Sequence, residues 1–364
     1  MQIKDIVAGI ESFAHPSLKE DYDNVGLLVG SGSEEVSGVL ITLDVTMEVL
    51  DEAIENNCNL IVAHHPLIFR GLKNITDSTV TGRIVMKAIK NGVAIFAGHT
   101  NVDSVPDGVS GMMAKRLGLV NTSVLRPARH RLLKLVVYVP EDHAEKVRNA
   151  IFEAGAGVIG NYDSCSYNVS GTGTFRAGEN TDPFVGEKGK LHFEPEVRIE
   201  TVMPDFIKNR VVAAMLDAHP YEEAAYDLYT LENEWYGAGL GMVGELESPV
   251  DELQFLAFLK ETFNVECLKH TSLLGRPVKK VALCGGAGSE FLGAAVYAGA
   301  DIFISGDFKY HQFFDAENRI LIADIGHFES EQFTKELFFE ILTKKISNFA
   351  IRLSEVNTNP IKYF

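Results

Sequence analysis

Three runs in the first third of the chain, VLITL (39–43), LIVA (60–63) and VAIFA (93–97), carry almost no polar residue on either side of the strand each would form. A strand with one wet face alternates apolar and polar side chains, whereas a continuous apolar run belongs in a sheet covered on both faces. Between these runs lie amphipathic stretches at 46–56 and 81–90, so the order is strand, helix, strand, helix, strand. That rhythm predicts an α/β fold with mostly parallel sheets covered by helices on both sides. It returns towards the other end in VALCGG, a helix through 291–297, DIFIS, a short helix, RILIADIG and a last helix over 330–345.

The middle of the chain breaks the rhythm. From 131 to 234 it contains the glycine-rich tract GTGTFRAGENTDPFVGEKGK, and this segment is expected to be an inserted domain within a discontinuous one formed by 1–130 and 235–364. A length of 364 residues suits two cores. The insert repeats itself: KLVVYVPEDHAEKVRNAIFEAGA aligns without gaps on VRIETVMPDFIKNRVVAAMLDAH, pairing Pro140 with Pro204, Val147 with Val211 and Ala154 with Ala218. Each copy reads as a strand, a proline at a helix start, an acidic first turn and a helix. Two such β-α-β halves predict a ferredoxin-like α+β unit.

Composition excludes some functions. Hydrophobic residues make up 46% and charged residues 23%, an ordinary globular profile. A net charge of -17 opposes binding to a phosphate backbone, so nucleic acid is not an expected partner. No apolar run reaches the roughly 20 residues of a membrane span. The start, MQIKDIVAGIESF, lacks the apolar core of a signal peptide, and a cytoplasmic location is expected. Cys58, Cys165, Cys267 and Cys284 form no C-x-x-C pair and are expected to be reduced and mostly buried.

The chemistry gathers at strand ends. His64 and His65 follow the apolar run LIVA and precede Pro66, where the backbone is extended or turning and neighbouring side chains diverge. A diverging imidazole pair suits two metal ions, each taking one neutral nitrogen; strand-end histidines satisfied by their own loop are the alternative. NGVAIFAGHTNVD and NRILIADIGHFESE both run a strand into Gly-His-x-x-x-acid, so His99 and Asp103 correspond to His327 and Glu331. Four residues apart at a helix start, His327 and Glu331 share one face. With His64, His65 and Asp103 they make a set of three imidazoles and two carboxylates suited to two divalent ions, zinc first, with iron, manganese or nickel as alternatives. Asp103 and Glu331 are candidate bridges between cations held about 3.5–4 Å apart, which would make hydroxide available near neutral pH. His99 is a candidate to orient water or substrate, or simply to bond its loop.

Other motifs carry less. CGGAGS (284–289) opens a helix after a strand but lacks the Walker lysine and the third dinucleotide glycine, and reads as a tight turn. Asp307 and His311 in GDFKYH are expected to be structural or to stand behind the ligands, and HPYEE (219–223) to form a helix-to-strand corner.

With these residues in hand, the chain resembles the Nif-three-like family of dinuclear-metal-centre hexameric proteins, also described as GTP cyclohydrolase I type 2 homologues. The resemblance rests on DNVGLLVG (23–30), AHHPLIF (63–69), GHTNVD (98–103), SGDFKYH (305–311) and GHFESE (326–331), in that order. It implies that His64, His65, Asp103, His327 and Glu331 are the metal ligands. It also implies a PII-like or CutA-like ferredoxin-fold insert and a ring-shaped homohexamer built as a trimer of dimers.

The function expected is a metal-dependent hydrolase acting on a small, nucleotide-like molecule through metal-bound hydroxide. A metal chaperone or store, and a regulatory scaffold hexamer whose insert senses a ligand, are the alternatives. Substrate fit separates the first two, and deletion of the insert the third.

Overall fold

The computed structural model describes residues 1–346 and 349–364. These form two compact units, Met1–Pro127 with Ala238–Phe364, and Ala128–Gly237.

The larger unit contains two sheets. The first is built from β1 (Gly26–Val29), β2 (Val39–Thr42), β3 (Leu60–Ala63), β4 (Ala94–Ala97) and, from the far end of the chain, β15 (Ile351–Leu353), in the order β1-β4-β3-β2-β15. Its central pairs are parallel, with β1 antiparallel at one edge. Successive residues of each central strand point to opposite cores: Leu60, Val62 and Phe96 pack with the helices Ile3–Glu11 and Thr334–Lys345, while Ile61 and Ile95 pack with Met47–Glu55 and Val80–Lys90. This two-sided burial is why the runs show no alternation. The last two helices start where threonine side chains accept backbone N–H groups, Thr46 from Val49 and Thr79 from Gly82.

The second sheet takes β5 (Val120–Ala128), β10 (Trp235–Val250), β11 (Lys269–His270), β12 (Val278–Ala287), β13 (Ile302–Gly306) and β14 (Leu321–Asp324) in the order β11-β14-β13-β12-β10-β5. Here β12, β13 and β14 run parallel, but β10 and β11 lie antiparallel to their neighbours, so this sheet is mixed where a mostly parallel one was expected. Flanking strands escape the crossover rule that makes consecutive central strands parallel. It too is covered on both faces: Val281, Leu283 and Ile304 meet Phe255 and Leu259 on one side, and Ala282, Phe303 and Ile322 meet Leu292 and Ala295 on the other.

The smaller unit is a four-stranded antiparallel sheet of β6 (Leu132–Pro140), β7 (Tyr167–Arg176), β8 (Leu191–Pro204) and β9 (Tyr226–Leu231), ordered β7-β8-β6-β9. The repeated halves are visible in it. β6 ends at Pro140 and β8 at Pro204, and each passes through a short 3-10 turn into a helix, Ala144–Glu153 and Lys208–Ala218. Val147, Ile151, Val211 and Met215 from those helices share one core with Leu135, Val137 and Ile199.

All four cysteines are free, but only Cys58 and Cys284 are buried, while Cys267 is exposed. Among the described residues no helix is long and apolar enough to cross a membrane.

Phe338 is fully buried beside Phe96, and its ring edge would lie only 3.2 Å from a Cβ placed on Gly98. Phe338→Ala should therefore lower stability by about 3–5 kcal/mol in urea unfolding, and a loss under about 1 kcal/mol would contradict this packing.

Candidate metal centre

In the larger unit, the sheet ends deliver side chains to one place. His64 and His65 leave the end of β3, their backbone N–H groups held by the carbonyls of Thr42 and Leu43 at 3.3 and 2.9 Å. β4 ends at Ala97, and Gly98-His99 leads into a single helical turn, Thr100–Asp103. β14 ends at Asp324, and the positive φ of Gly326, 94°, turns the chain into the short helix His327–Glu331. The carboxyl ends of parallel strands are where α/β sheets place their ligands.

The five predicted ligands come together. Glu331 Oε2 lies 2.9 Å from His65 Nε2 and 3.1 Å from His327 Nε2, while its Oε1 lies 3.8 Å from His64 Nε2. Asp103 Oδ1 is 3.7 Å from His64 Nε2. Among the described residues, ligand atoms within 4.8 Å of one another form three groups able to hold a metal ion: His64, Asp103 and Glu331; His65, His327 and Glu331; and His64, His65 and His99. Glu331 is common to the first two, and Asp103 belongs to one.

Behind each imidazole stands an oxygen that fixes its orientation. His64 Nδ1–H donates to the Gly98 carbonyl at 2.9 Å, His65 Nδ1 to Asp44 at 2.7 Å, His327 Nδ1 to Asp307 at 2.8 Å and His99 Nδ1 to Asp23 at 2.8 Å. A carbonyl only accepts, so His64 must carry its proton on Nδ1 and present a bare Nε2 inward. Such oxygen partners fix the ring and raise ligand basicity. Asp44 is itself held by Thr358 Oγ1 at 2.6 Å, and Asp23 by the N–H and hydroxyl of Thr100.

The electrostatics follow from these partners. Burial opposes charge on His65, but the Asp44 and Glu331 carboxylates outweigh it and push the imidazole up to about 10. His327, half-buried, is carried up to about 9 by Glu331 and Asp307 against the desolvation that opposes its charge. His64 has a carbonyl where the others have a carboxylate, and burial holds it below the ordinary histidine range. Burial works to raise Glu331, yet bonds from His327 and His65 hold it well below the usual carboxylate value; burial and Glu331's charge push Asp103 up.

The residues fit a cation. His64 Nε2 and Asp103 Oδ1 are buried and have no hydrogen-bond partner among the described residues, although together they are a nitrogen and an oxygen aimed at the same space. His65 Nε2 and His327 Nε2 face each other at 3.3 Å across one carboxylate oxygen, an arrangement of like groups that a divalent ion would reconcile.

Sequence reasoning missed Asp44 and the Gly98 carbonyl and gave Asp23 no role, whereas Asp307 stands behind a candidate ligand, His327, as expected. Asp44 closes the run ITLD at the end of β2, so a strand-end acid beside a strand-end histidine was the available signal. His311 does not reach the centre; it is exposed and packs on Tyr310 and Phe314. The CGGAGS turn presses on the site through its backbone: Gly286 has φ 62°, and a Cβ there would stand 2.2 Å from Glu331 Oε1. Burial and the nearby charges of Asp103 and Glu331 push the Cys284 thiol far up, which removes it as a nucleophile.

A family profile described as Duf34/NIF3 (NGG1p interacting factor 3) matches residues 1–360. A Halalkalibacterium halodurans protein named GTP cyclohydrolase 1 type 2 homolog is 42% identical over 363 residues, 98% of each chain. A Bacillus subtilis protein of the same name is 38% identical over 366 residues, 99% of this chain and 98% of its own. Among solved structures, the Bacillus cereus protein related to NIF3 superimposes with a TM-score of 0.86 at 40% identity, covering 100% of this chain and 99% of that one.

In metal-stripped protein, the raised values of His65 and His327, about 10 and about 9, mean that both imidazoles stay protonated through neutral pH and lose the proton only as pH rises past those values. Histidine-labelled protein followed by NMR should show two resonances titrating well above pH 8, removed by His65→Gln and His327→Gln; titration of both near the ordinary value of about 6.5 would contradict the geometry.

Proposed function

This chain belongs to the Duf34/NIF3 family, and we propose that it binds two divalent cations and uses them to hydrolyse a small molecule. One cation is assigned to His64, Asp103 and Glu331, the other to His65, His327 and Glu331. The observation that carries this reading is the division of Glu331, one oxygen towards His64 and the other towards His65 and His327, beside two buried ligand atoms that none of the described residues satisfies. Mixed nitrogen and oxygen donors suit zinc first, then iron, manganese or nickel. Nucleotides are the first substrates to test, because the relatives are named as GTP cyclohydrolase 1 type 2 homologues.

When bound, the cations would supply Lewis acidity and bring the pKa of water at the site towards about 7. The chain's own groups do the rest. Glu331 offsets the repulsion between two positive centres, and the oxygens of Gly98, Asp44 and Asp307 keep three Nε2 atoms pointed inward. His99, fixed by Asp23 through Nδ1, keeps Nε2 as an acceptor beside His64 and His65, placed to take a proton or orient a substrate hydroxyl.

Two further parts of the reading concern assembly. The β-α-β-β-α-β order of the smaller unit, with strands arranged β7-β8-β6-β9, supports a ferredoxin-like insert of the PII or CutA kind. The likeness to the Nif-three-like family supports a homohexamer built as a trimer of dimers, which light scattering in solution would register directly.

Metal content by inductively coupled plasma mass spectrometry should be about two ions per chain in reconstituted wild type. It should fall below one in Glu331→Gln and in Gly286→Ala, whose new methyl would displace the shared carboxylate. Zinc-loaded wild type should then turn over a member of a nucleotide and phosphoester panel that Glu331→Gln does not. Metal retention without any turnover would leave storage as the function, and no metal uptake would sink both readings.

A further inference from the structure

The smaller unit holds a cleft of about 600 Å³, within the range of small-molecule sites. None of its lining residues belongs to the metal centre, so its occupancy can be tested separately. It is assembled from segments far apart in sequence: residues 169–177 along β7 and just past its end, Phe184 from the loop that follows in the glycine-rich tract, Glu196 and Arg198 on β8, and Tyr221 from the HPYEE corner. His219 builds that corner rather than the cleft. Its Nε2–H donates to the Tyr138 carbonyl at 2.9 Å and its Nδ1 accepts the Tyr221 N–H at 3.1 Å, which uses both ring nitrogens and sets Tyr221 in place.

Glu196 is the charged group set deepest in the lining. It is 9% exposed, yet lines the cleft with its carboxylate. Oε1 accepts the Tyr221 hydroxyl at 3.0 Å, while Oε2 takes no hydrogen bond from the described residues. That oxygen is not sealed inside the protein but opens onto the cleft, where a ligand's donor can reach it. The fold makes room for this group, because a Cβ on Gly173 would stand 2.1 Å from Oε2. Around it are rings: Phe175 and Phe184 lie 6.1 and 6.2 Å from Tyr221, centroid to centroid, and Phe184 leaves 51% of its surface open. The cations lining the cleft, Arg176 and Arg198, are both exposed, and Arg198 is already paired with Glu200 at 2.9 Å. Glu222 and Glu223 add further negative charge to the lining.

An acid among aromatic faces selects for a cation, since the ring quadrupole and the carboxylate both favour positive charge. We propose that this cleft binds a small organic ammonium carried on a flat or apolar body, the ammonium at Glu196 Oε2 and the body against Phe175, Phe184 and Tyr221.

The test uses the full chain and three probes that differ in charge: phenethylammonium, neutral 2-phenylethanol and phenylacetate. Calorimetry should show one saturable phenethylammonium site per chain, with the alcohol weaker by about tenfold or more and the anion not binding. Glu196→Gln should weaken phenethylammonium by about tenfold and leave the alcohol unchanged. Gly173→Ala keeps the acid but crowds its carboxylate, a displacement that a flexible side-chain end absorbs cheaply, and should move cation affinity in the same direction; it decides the matter if the glutamine variant melts early. Equal binding of cation and anion, unchanged cation affinity in a folded variant, or no saturable binding up to about 10 mM would overturn the proposal.

Discussion

Glu331 carries a negative charge at a place where water does not reach it, with 3% of its surface exposed, and that charge has to be balanced by groups aimed at it. Removing a carboxylate from water costs several kcal/mol unless partners are in place. The surrounding architecture supplies them from both sheets of the larger unit. His64 and His65 come from the end of β3, and His327 from one turn earlier on the helix that carries Glu331 itself. Gly286, at the end of β12, has no side chain because the carboxylate occupies the space one would need. A fold that must bring these strand ends within a few ångströms has little freedom in how its two sheets meet.

The second layer of oxygens explains how three histidines of one kind come to behave differently. His65 and His327 lean on carboxylates, Asp44 and Asp307, and are held positive in the absence of a metal, where they compensate Glu331. His64 leans on the Gly98 carbonyl, is buried completely and is held neutral. One side of the centre is thus balanced by protons that a metal would displace, and the other presents a bare nitrogen and a carboxyl, Asp103, that wait unsatisfied. Thr358, near the end of the chain, reaches back to Asp44, so the tail takes part in holding His65.

Much of this was legible in the sequence where the signal was local. The uninterrupted apolar runs at 60–63 and 93–97 are β3 and β4 within a residue, because two-sided burial leaves no polar positions to blur the pattern. The Gly-His-x-x-x-acid echo delivers Asp103 and Glu331 to one group of ligand atoms because each copy ends a strand and begins a helical turn. What was not legible depends on contacts between distant residues. β1 and β15 are four and three residues long, and their place at the sheet edges comes from pairing with β4 and β2. The long β10 hides in WYGAGLGMVGELESPV, whose glycines weaken a strand signal although tertiary pairing overrides it. Asp44 lies 21 residues from His65, and no periodicity links them. The cleft of the smaller unit escaped for the same reason: Glu196, Gly173 and Tyr221 are each unremarkable alone and meet only once β7 and β8 pair.

The most direct measurement of the central claim is anomalous diffraction at the zinc edge from crystals of the zinc-loaded protein. Two peaks about 3.5–4 Å apart, one against His64 and Asp103, the other against His65 and His327, with Glu331 touching both, are the predicted result. A single peak, or peaks away from Glu331, would contradict a shared-carboxylate dinuclear centre.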